Sequence, residues 1–370
     1  MSRQVTPEKS VYLVWLSVAI TFCWPLPANT ARKKIVGMKV LLIASIINGC
    51  VVILAMFYWI RLHLDDIISL FKCVCVVLCL LQYVVQTIVC FVKYDTLQRV
   101  VDEMMGCINE AKTDEILRAY ASRCNTLYGM SLLSIYICGT SFVFTPLFLP
   151  NPFPFETEYP FDVNTTSRSF IIYASHVLAI FQSTGHMCLC TFGAVLLWFT
   201  AARFECLIGE LRSVTSIDAL VVCLKKHSRL KRYAEEVVSC IRFLVFHAIL
   251  LGTFVLTLCG IVLIINSPLI VKAQFIIICV CILLEIYLYA LPADYMYDMS
   301  MNISRSVYDS MWYEQKLDLQ KALLTVLAFQ KPIPVSINVL LPELTIRYYC
   351  SYVSNALSIF AALRTVVDDS

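Results

Sequence analysis

The sequence predicts an all-α membrane protein with seven transmembrane helices, its N-terminus cytoplasmic and its C-terminus extracellular. Three observations predict this. Hydrophobic residues make up 59% of the 370 positions and charged residues only 15%, too little charge to clothe a soluble domain of this size. Six stretches supply the roughly 20 mostly apolar residues that a spanning helix needs, and a seventh, more polar one closes the chain. Lys and Arg divide 23 to 4 between alternate connecting segments, and the richer side is expected in the cytoplasm.

The first candidate element is "VYLVWLSVAITFCW", Val11–Trp24. Pro25 and Pro27 cut it short of a full span, so it reads as a re-entrant helix that dips into the membrane. No small-residue cleavage site of a signal peptide follows it. The six spans are Val40–Ile60, Cys73–Val92 with a start near Ile67, Leu127–Leu149, Phe170–Phe199, Phe243–Ile265 and Leu269–Pro292. No proline occurs between Phe161 and Ser267, and within that stretch Leu207, Leu211 and Val214, then Leu220, Leu224 and Leu230, recur at helical spacing. Spans four and five should therefore run on past the membrane as a helical hairpin that turns near Thr215–Asp218. Prolines gather instead in "PLFLPNPFPFETEYP", which predicts an extended aromatic loop over the outer membrane face. Helical periodicity predicts a further helix over Lys316–Phe329, carried by Leu317, Leu324 and Leu327. "QKPIPVS" then breaks the chain before a last span at about Leu344–Leu363. The seventh helix is thus broken.

These elements divide the chain into four parts: a cytoplasmic N-terminal segment, 1–39; spans one to six with their cytoplasmic extensions, 40–292; a cytoplasmic anchor segment, 293–335; and the last span with an extracellular tail, 336–370. On the expected outer side the one glycosylation sequon is Asn164-Thr165-Thr166, with Asn164 as acceptor. The 18 cysteines avoid the outer loops, so they are expected as free thiols filling apolar gaps.

Catalytic signatures are absent. Neither His176 nor His186 has a nucleophile or second base at useful spacing, and no dinucleotide motif appears, so an enzyme is not expected. Three Cys-x-Cys pairs, Cys73/Cys75, Cys188/Cys190 and Cys279/Cys281, lie in spans. Two residues apart on a helix they diverge by about 200°, which argues against a metal site. No cofactor is implied. The net charge of +3 is small and dispersed and points to no nucleic-acid partner; the lipid bilayer is the expected surroundings. Charges inside spans draw attention: Lys72 sits near the outer end of span two, and Glu285 is deep in span six, where a structural hydrogen bond is expected. The outer halves of spans two, three, four and six offer candidates for an apolar pocket with few polar handles. These are Phe71 and Val74, Cys138 and Phe142, Tyr173, His176 and Val177, and Phe275 and Ile278. His176 either lines that pocket or bonds to a neighbouring helix.

The last span raises its own question. At 100° per residue, Ser351, Ser354, Asn355, Ser358, Ala361, Ala362 and Thr365 fall within an arc of about 120°. Tyr352, Val353, Leu357, Phe360 and other bulky residues take the rest. A small, polar face serves either close helix contact or a water-filled path shared by several subunits around a symmetry axis. In the second case Ser351, Asn355, Ser358, Ala362 and Thr365 line a pore, and Asp368 and Asp369 sit at its mouth.

The stretch "SRSVYDSMWYEQKLDLQKALLTVLAFQKPIPVS" resembles the signature of the insect odorant receptors. The resemblance rests on Ser306, Val307, Tyr308, Trp312, Tyr313, Lys321, Leu323, Leu324, Gln330, Lys331 and Pro332. The closing "ALSIFAALRT" is similar to that family's last segment at Ser358, Phe360, Leu363 and Arg364. The resemblance implies a tuning subunit of a ligand-gated, non-selective cation channel. Such a subunit assembles as a heterotetramer with the shared odorant co-receptor in the plasma membrane of olfactory sensory neurons. It binds a small volatile or lipophilic ligand in the outer half of the bundle and opens a pore lined by the last helix, with the gate near Ala362. The alternative is a gustatory receptor of the same superfamily. A G-protein-coupled receptor fits less well, because the charge count turns the chain the other way.

Overall fold

The computed structural model describes residues 6–368 apart from 66, 111–114, 145, 147–151, 164, 266–268, 310–311, 315, 330 and 338–339. The predicted glycosylation acceptor Asn164 and the end of the tail, Asp369, lie outside the described residues. Among those residues every named element is helical, and the sole β pairing is an isolated bridge between Ile337 and Leu341.

The N-terminal helix, α1, is Pro7–Val18. It starts four residues before the predicted Val11, because Thr6 is extended and Pro7 occupies the first turn, where a missing N–H costs nothing. It also ends six residues early. A 3₁₀ turn over Ala19–Thr21 follows, and Phe22 takes a left-handed φ of 59° that closes it. The buried face of α1 carries Ser10, Val11, Val14, Ser17 and Val18.

Four long helices follow: α2, Arg32–Leu62; α3, Ile67–Val92; α4, Tyr94–Glu110; and α5, Glu115–Val143. α6, Thr166–Met187, runs almost directly into α7, Leu189–Arg212. The join is at Cys188, whose N–H is shared between the carbonyls of Thr184 (3.3 Å) and Gly185 (3.1 Å), so the ladder tightens without breaking. α8, Ile217–Ile264, begins after Ser216, whose hydroxyl accepts the Ala219 N–H at 3.2 Å. The turn at 213–216 matches the predicted hairpin, and Leu207, Leu211, Val214, Leu220 and Leu230 are all buried. α9, Leu269–Tyr308, passes through Pro292. α10, Leu317–Phe329, and α11, Ile346–Asp368, are the two halves of the broken last unit.

Among the described residues five helical segments are long and apolar enough to cross a membrane: Arg32–Leu62, Ser69–Val92, Thr166–Arg212, Ile217–Ile264 and Lys272–Tyr308. Ser131–Val143 of α5 is a shorter apolar segment. α7 is the central strut. Its membrane window with α6 is 89% buried within the chain, against 39–50% for the other four, and it packs chiefly on α9. Thus α7 replaces lipid with protein on nearly every side.

Leu317 and Leu324 do not face the core: they are 63% and 47% exposed, whereas Leu319 and Leu323 of the same helix are 2% and 1% exposed. Two apolar stripes run along α10, and sequence periodicity could not say which one this chain covers with itself. In the stretch after α10, four apolar side chains turn inward. Ile333 N donates to Ser300 Oγ at 3.2 Å, Leu344 N to Val335 O at 3.0 Å, and Val335, Leu341 and Leu344 are buried. This tight return puts α11 against α8 and α9.

Candidate functional site

The apolar helices are joined by polar side chains at depth, where hydrogen-bonding groups have few alternatives. Tyr83 of α3 donates to Gln182 Oε1 of α6 at 2.8 Å and also reaches the Ser45 carbonyl of α2. Gln182 Nε2 in turn donates to Ser45 Oγ at 2.6 Å. His186 is held by Gln182 O (2.8 Å), Thr87 Oγ1 (2.9 Å) and Cys23 Sγ (3.5 Å). Deeper between α3 and α9, Gln82 Nε2 donates to Glu285 Oε1 at 2.7 Å, and both side chains are buried. The structural hydrogen bond expected for Glu285 is therefore present.

Between α3, α5, α6 and α9 lies an apolar cavity of about 120 Å³. α3 contributes Val76, Cys79 and Leu80; α5 contributes Ile135, Cys138, Gly139 and Phe142. α6 supplies Ile180, Ser183, Thr184 and Met187, and α9 supplies Ile278, Cys281 and Ile282. Phe155, from the loop over 152–163, also lines it. Gly139 lets α5 approach α6 here, because a Cβ at this position would strike the Thr184 side chain. Beyond Val76, Phe142 and Phe155, which line both spaces, a smaller hollow of about 20 Å³ is bordered by Lys72, Glu156 and Gln274. Lys72 Nζ lies 3.5 Å from Glu156 Oε1.

Three of the nine residues named from sequence for a ligand pocket, Cys138, Phe142 and Ile278, line this cavity. The other six do not. His176 is wholly buried, accepts or donates at Tyr159 OH (3.0 Å), and is flanked by Phe153 and Phe155. It anchors the aromatic loop, which is neither of the two expected roles: His176 does not line the cavity, and Tyr159 stands in the loop and not on a neighbouring helix. Tyr173 donates to Val143 O at 3.1 Å. Phe275 is buried in the core, Phe71 packs against that core, and Val74 and Val177 are half-buried away from the cavity. The reason is phase. The outer halves of the spans were legible, but the helix face that turns inward depends on crossing angles that only packing sets. Sequence reasoning missed Phe155, since a loop aromatic carries no periodic signal, missed Cys281 by about one helical turn from Ile278, and missed Ser183 by nearly two turns from Val177.

α11 packs one side against the chain. Tyr352, Val353, Ala356, Phe360 and Leu363 are half-buried, Thr253 Oγ1 meets Tyr352 OH at 3.2 Å, and the Tyr287 and Tyr349 rings lie 5.4 Å apart. Ser351, Ser354, Asn355, Ser358, Ala361, Ala362 and Thr365 are all exposed. The small, polar face is therefore left largely uncovered by its own chain, although Asn355 borders a groove with Thr253, Thr257 and Gly260 of α8 and the bulky Leu357 and Ile359 are exposed beside it. Among the described residues no group of three or more His, Cys, Asp or Glu is placed to hold a metal ion.

The described residues form a multi-pass bundle of apolar helices around a small apolar cavity, an arrangement that suits a membrane receptor or channel. The family model described as 7tm Odorant receptor matches residues 66–356, and the chain belongs to that family. It is 23% identical over 278 residues to Odorant receptor 10 of Aedes albopictus, covering 70% of this chain and 72% of that relative. The fold is similar to that of the insect olfactory receptor OR5 from Machilis hrabei, with TM-score 0.80, 16% identity, and 97% and 98% of the two chains covered. The same receptor in complex with eugenol matches with TM-score 0.79 at 17% identity, over the same shares.

Proposed function

We propose that this chain is the ligand-tuning subunit of a ligand-gated, non-selective cation channel, which takes a small volatile or lipophilic molecule in the cavity between α3, α5, α6 and α9. The observation that carries the cavity reading is its chemistry: an almost wholly apolar wall with a single available hydroxyl side chain, Ser183, of a size suited to one small molecule. The related fold solved with eugenol supports the same region of function. The pore reading rests on α11, whose small, polar face is left exposed by its own chain. Lipid is a poor solvent for that face, whereas a water-filled path at a symmetry axis suits it. The partner is the odorant co-receptor in a heterotetramer, in the plasma membrane of olfactory neurons.

In this reading the chain spans the membrane seven times, with α5 and α11 adding to the five long segments. The N-terminus and the α7–α8 hairpin are cytoplasmic, as the 23-to-4 division of Lys and Arg supports. Residues 1–39 carry the re-entrant α1, 293–335 form the cytoplasmic anchor, and 336–370 form the pore-lining last span with its outer tail. Asn164 is the glycosylation site.

The test is odorant-evoked current in cells expressing this chain with the co-receptor. A Ser358→Lys variant at normal surface level should pass less cation current, because a fixed positive charge in a narrow, poorly screened space repels permeating cations. Unchanged current and selectivity, from channels shown to contain the variant, would sink the pore assignment.

A further inference from the structure

We propose that the cavity selects single-ring aromatic ligands bearing one small oxygen function, by surrounding the ring with sulfur. The inference rests on reading the cavity as the ligand site. Sulfur reaches its wall from all four helices: Cys79 from α3, Cys138 from α5, Met187 from α6 and Cys281 from α9. Three of these four, Cys79, Cys138 and Cys281, are thiols that border the same cavity. These residues stand 59, 143 and 202 positions apart along the chain (Cys79 to Cys138, Cys138 to Cys281, Cys79 to Cys281), so only the fold brings them together.

Three neighbouring thiols raise two other readings, and the structure favours neither. No group of His, Cys, Asp or Glu among the described residues is placed to hold a metal. No basic side chain lines the cavity to activate a thiol as a nucleophile. What neutral sulfur offers is polarisability. Thiols and thioethers make favourable contacts with the edge of an aromatic ring that they do not make with a saturated one. Phe142 and Phe155 add aromatic faces to the same wall. At about 120 Å³ the cavity is somewhat smaller than the apolar cavity of about 150 Å³ that holds one benzene, so it limits a ligand to a single ring and its side chains must yield to admit one. Thr184 donates its hydroxyl to Ile180 O at 2.8 Å, which leaves Ser183 to meet the oxygen of a ligand.

The experiment compares matched ring pairs on cells expressing the full chain with its co-receptor: benzyl alcohol against cyclohexylmethanol, and acetophenone against cyclohexyl methyl ketone. The expected result is that each aromatic member is more potent by roughly tenfold, as a few sulfur–ring contacts predict. In Cys138→Val/Cys281→Val that ratio should fall toward one, while Ser183→Ala should weaken both members of a pair alike. Where the valine pair does not reach the surface, Cys138→Ala/Cys281→Ala takes its place. A parent receptor that shows no aromatic advantage, or answers neither pair, overturns the proposal, as does a ratio unmoved by loss of the two thiols. Failure of the underlying site reading looks different: Ile180→Trp, which fills the cavity, would then leave responses to both members intact at normal surface level.

Discussion

Glu285 shows how one residue changes meaning between sequence and structure. A carboxyl group inside a span reads as a functional suspect, yet here it accepts the Gln82 amide at 2.7 Å in a fully buried site and joins α3 to α9. Breaking the pair from one side leaves a buried polar group without its partner, which costs about 1–3 kcal/mol, whereas removing both is far milder. Gln82→Leu should therefore lower the thermal stability of detergent-solubilised receptor, and Gln82→Leu/Glu285→Leu should recover much of the loss. If the double variant fell by the sum of the two singles, the hydrogen bond would carry no coupling. His176 teaches the same lesson: the sequence offers it a cavity wall or a neighbouring helix, and its bond to Tyr159 OH (3.0 Å) ties it to the aromatic loop instead.

At the scale of elements, close approach of helices depends on small residues whose importance no periodicity reveals. A Cβ at Gly49 would come within 2.6 Å of Tyr83 Cε1 and 2.7 Å of Val84 Cγ2, so α2 and α3 can touch only where α2 has no side chain. Gly49→Val should part these helices and disturb Tyr83, which bonds both Ser45 and Gln182. Overpacking of this kind costs roughly 1–3 kcal/mol, read as reduced surface expression and a lower melting temperature; a valine variant as stable as the parent would show that the contact yields freely. The aromatic loop over 152–163 is likewise an element with a job: Phe153 and Phe155 are buried, and Glu156 faces Lys72. Proline spacing predicted an extended segment but not that Phe155 would line the cavity.

For the whole molecule, orientation is the open quantity, and charge carries the argument. The 23-to-4 division of Lys and Arg is strong because short basic loops resist translocation. Epitope tags at both termini, stained on intact cells, should reveal the C-terminal tag and hide the N-terminal one. The reverse pattern would invert the topology and with it the placement of the cavity in the outer half of the bundle. The exposed stripe of α10, Leu317 and Leu324, and the exposed small face of α11 both point away from the chain's own core, as expected of a subunit that completes itself by assembly.

By itself the sequence determined the class of fold, the apolar centres of the spans, the 213–216 turn and the break between α10 and α11, but not α4 or the polar extensions of α2, α5 and α9 beyond the apolar runs. These depend on composition, local periodicity and proline, all of which act over short distances along the chain. Tertiary structure alone decided which face of each helix turns inward, hence that Cys138, Phe142 and Ile278 line the cavity while Tyr173, His176 and Phe275 do not. It also decided that Cys79, Cys138 and Cys281 border the same cavity. Crossing angles are set by side chains from distant segments packing together, and a shift of one residue turns a helix by about 100°, enough to move a side chain from the cavity into the core.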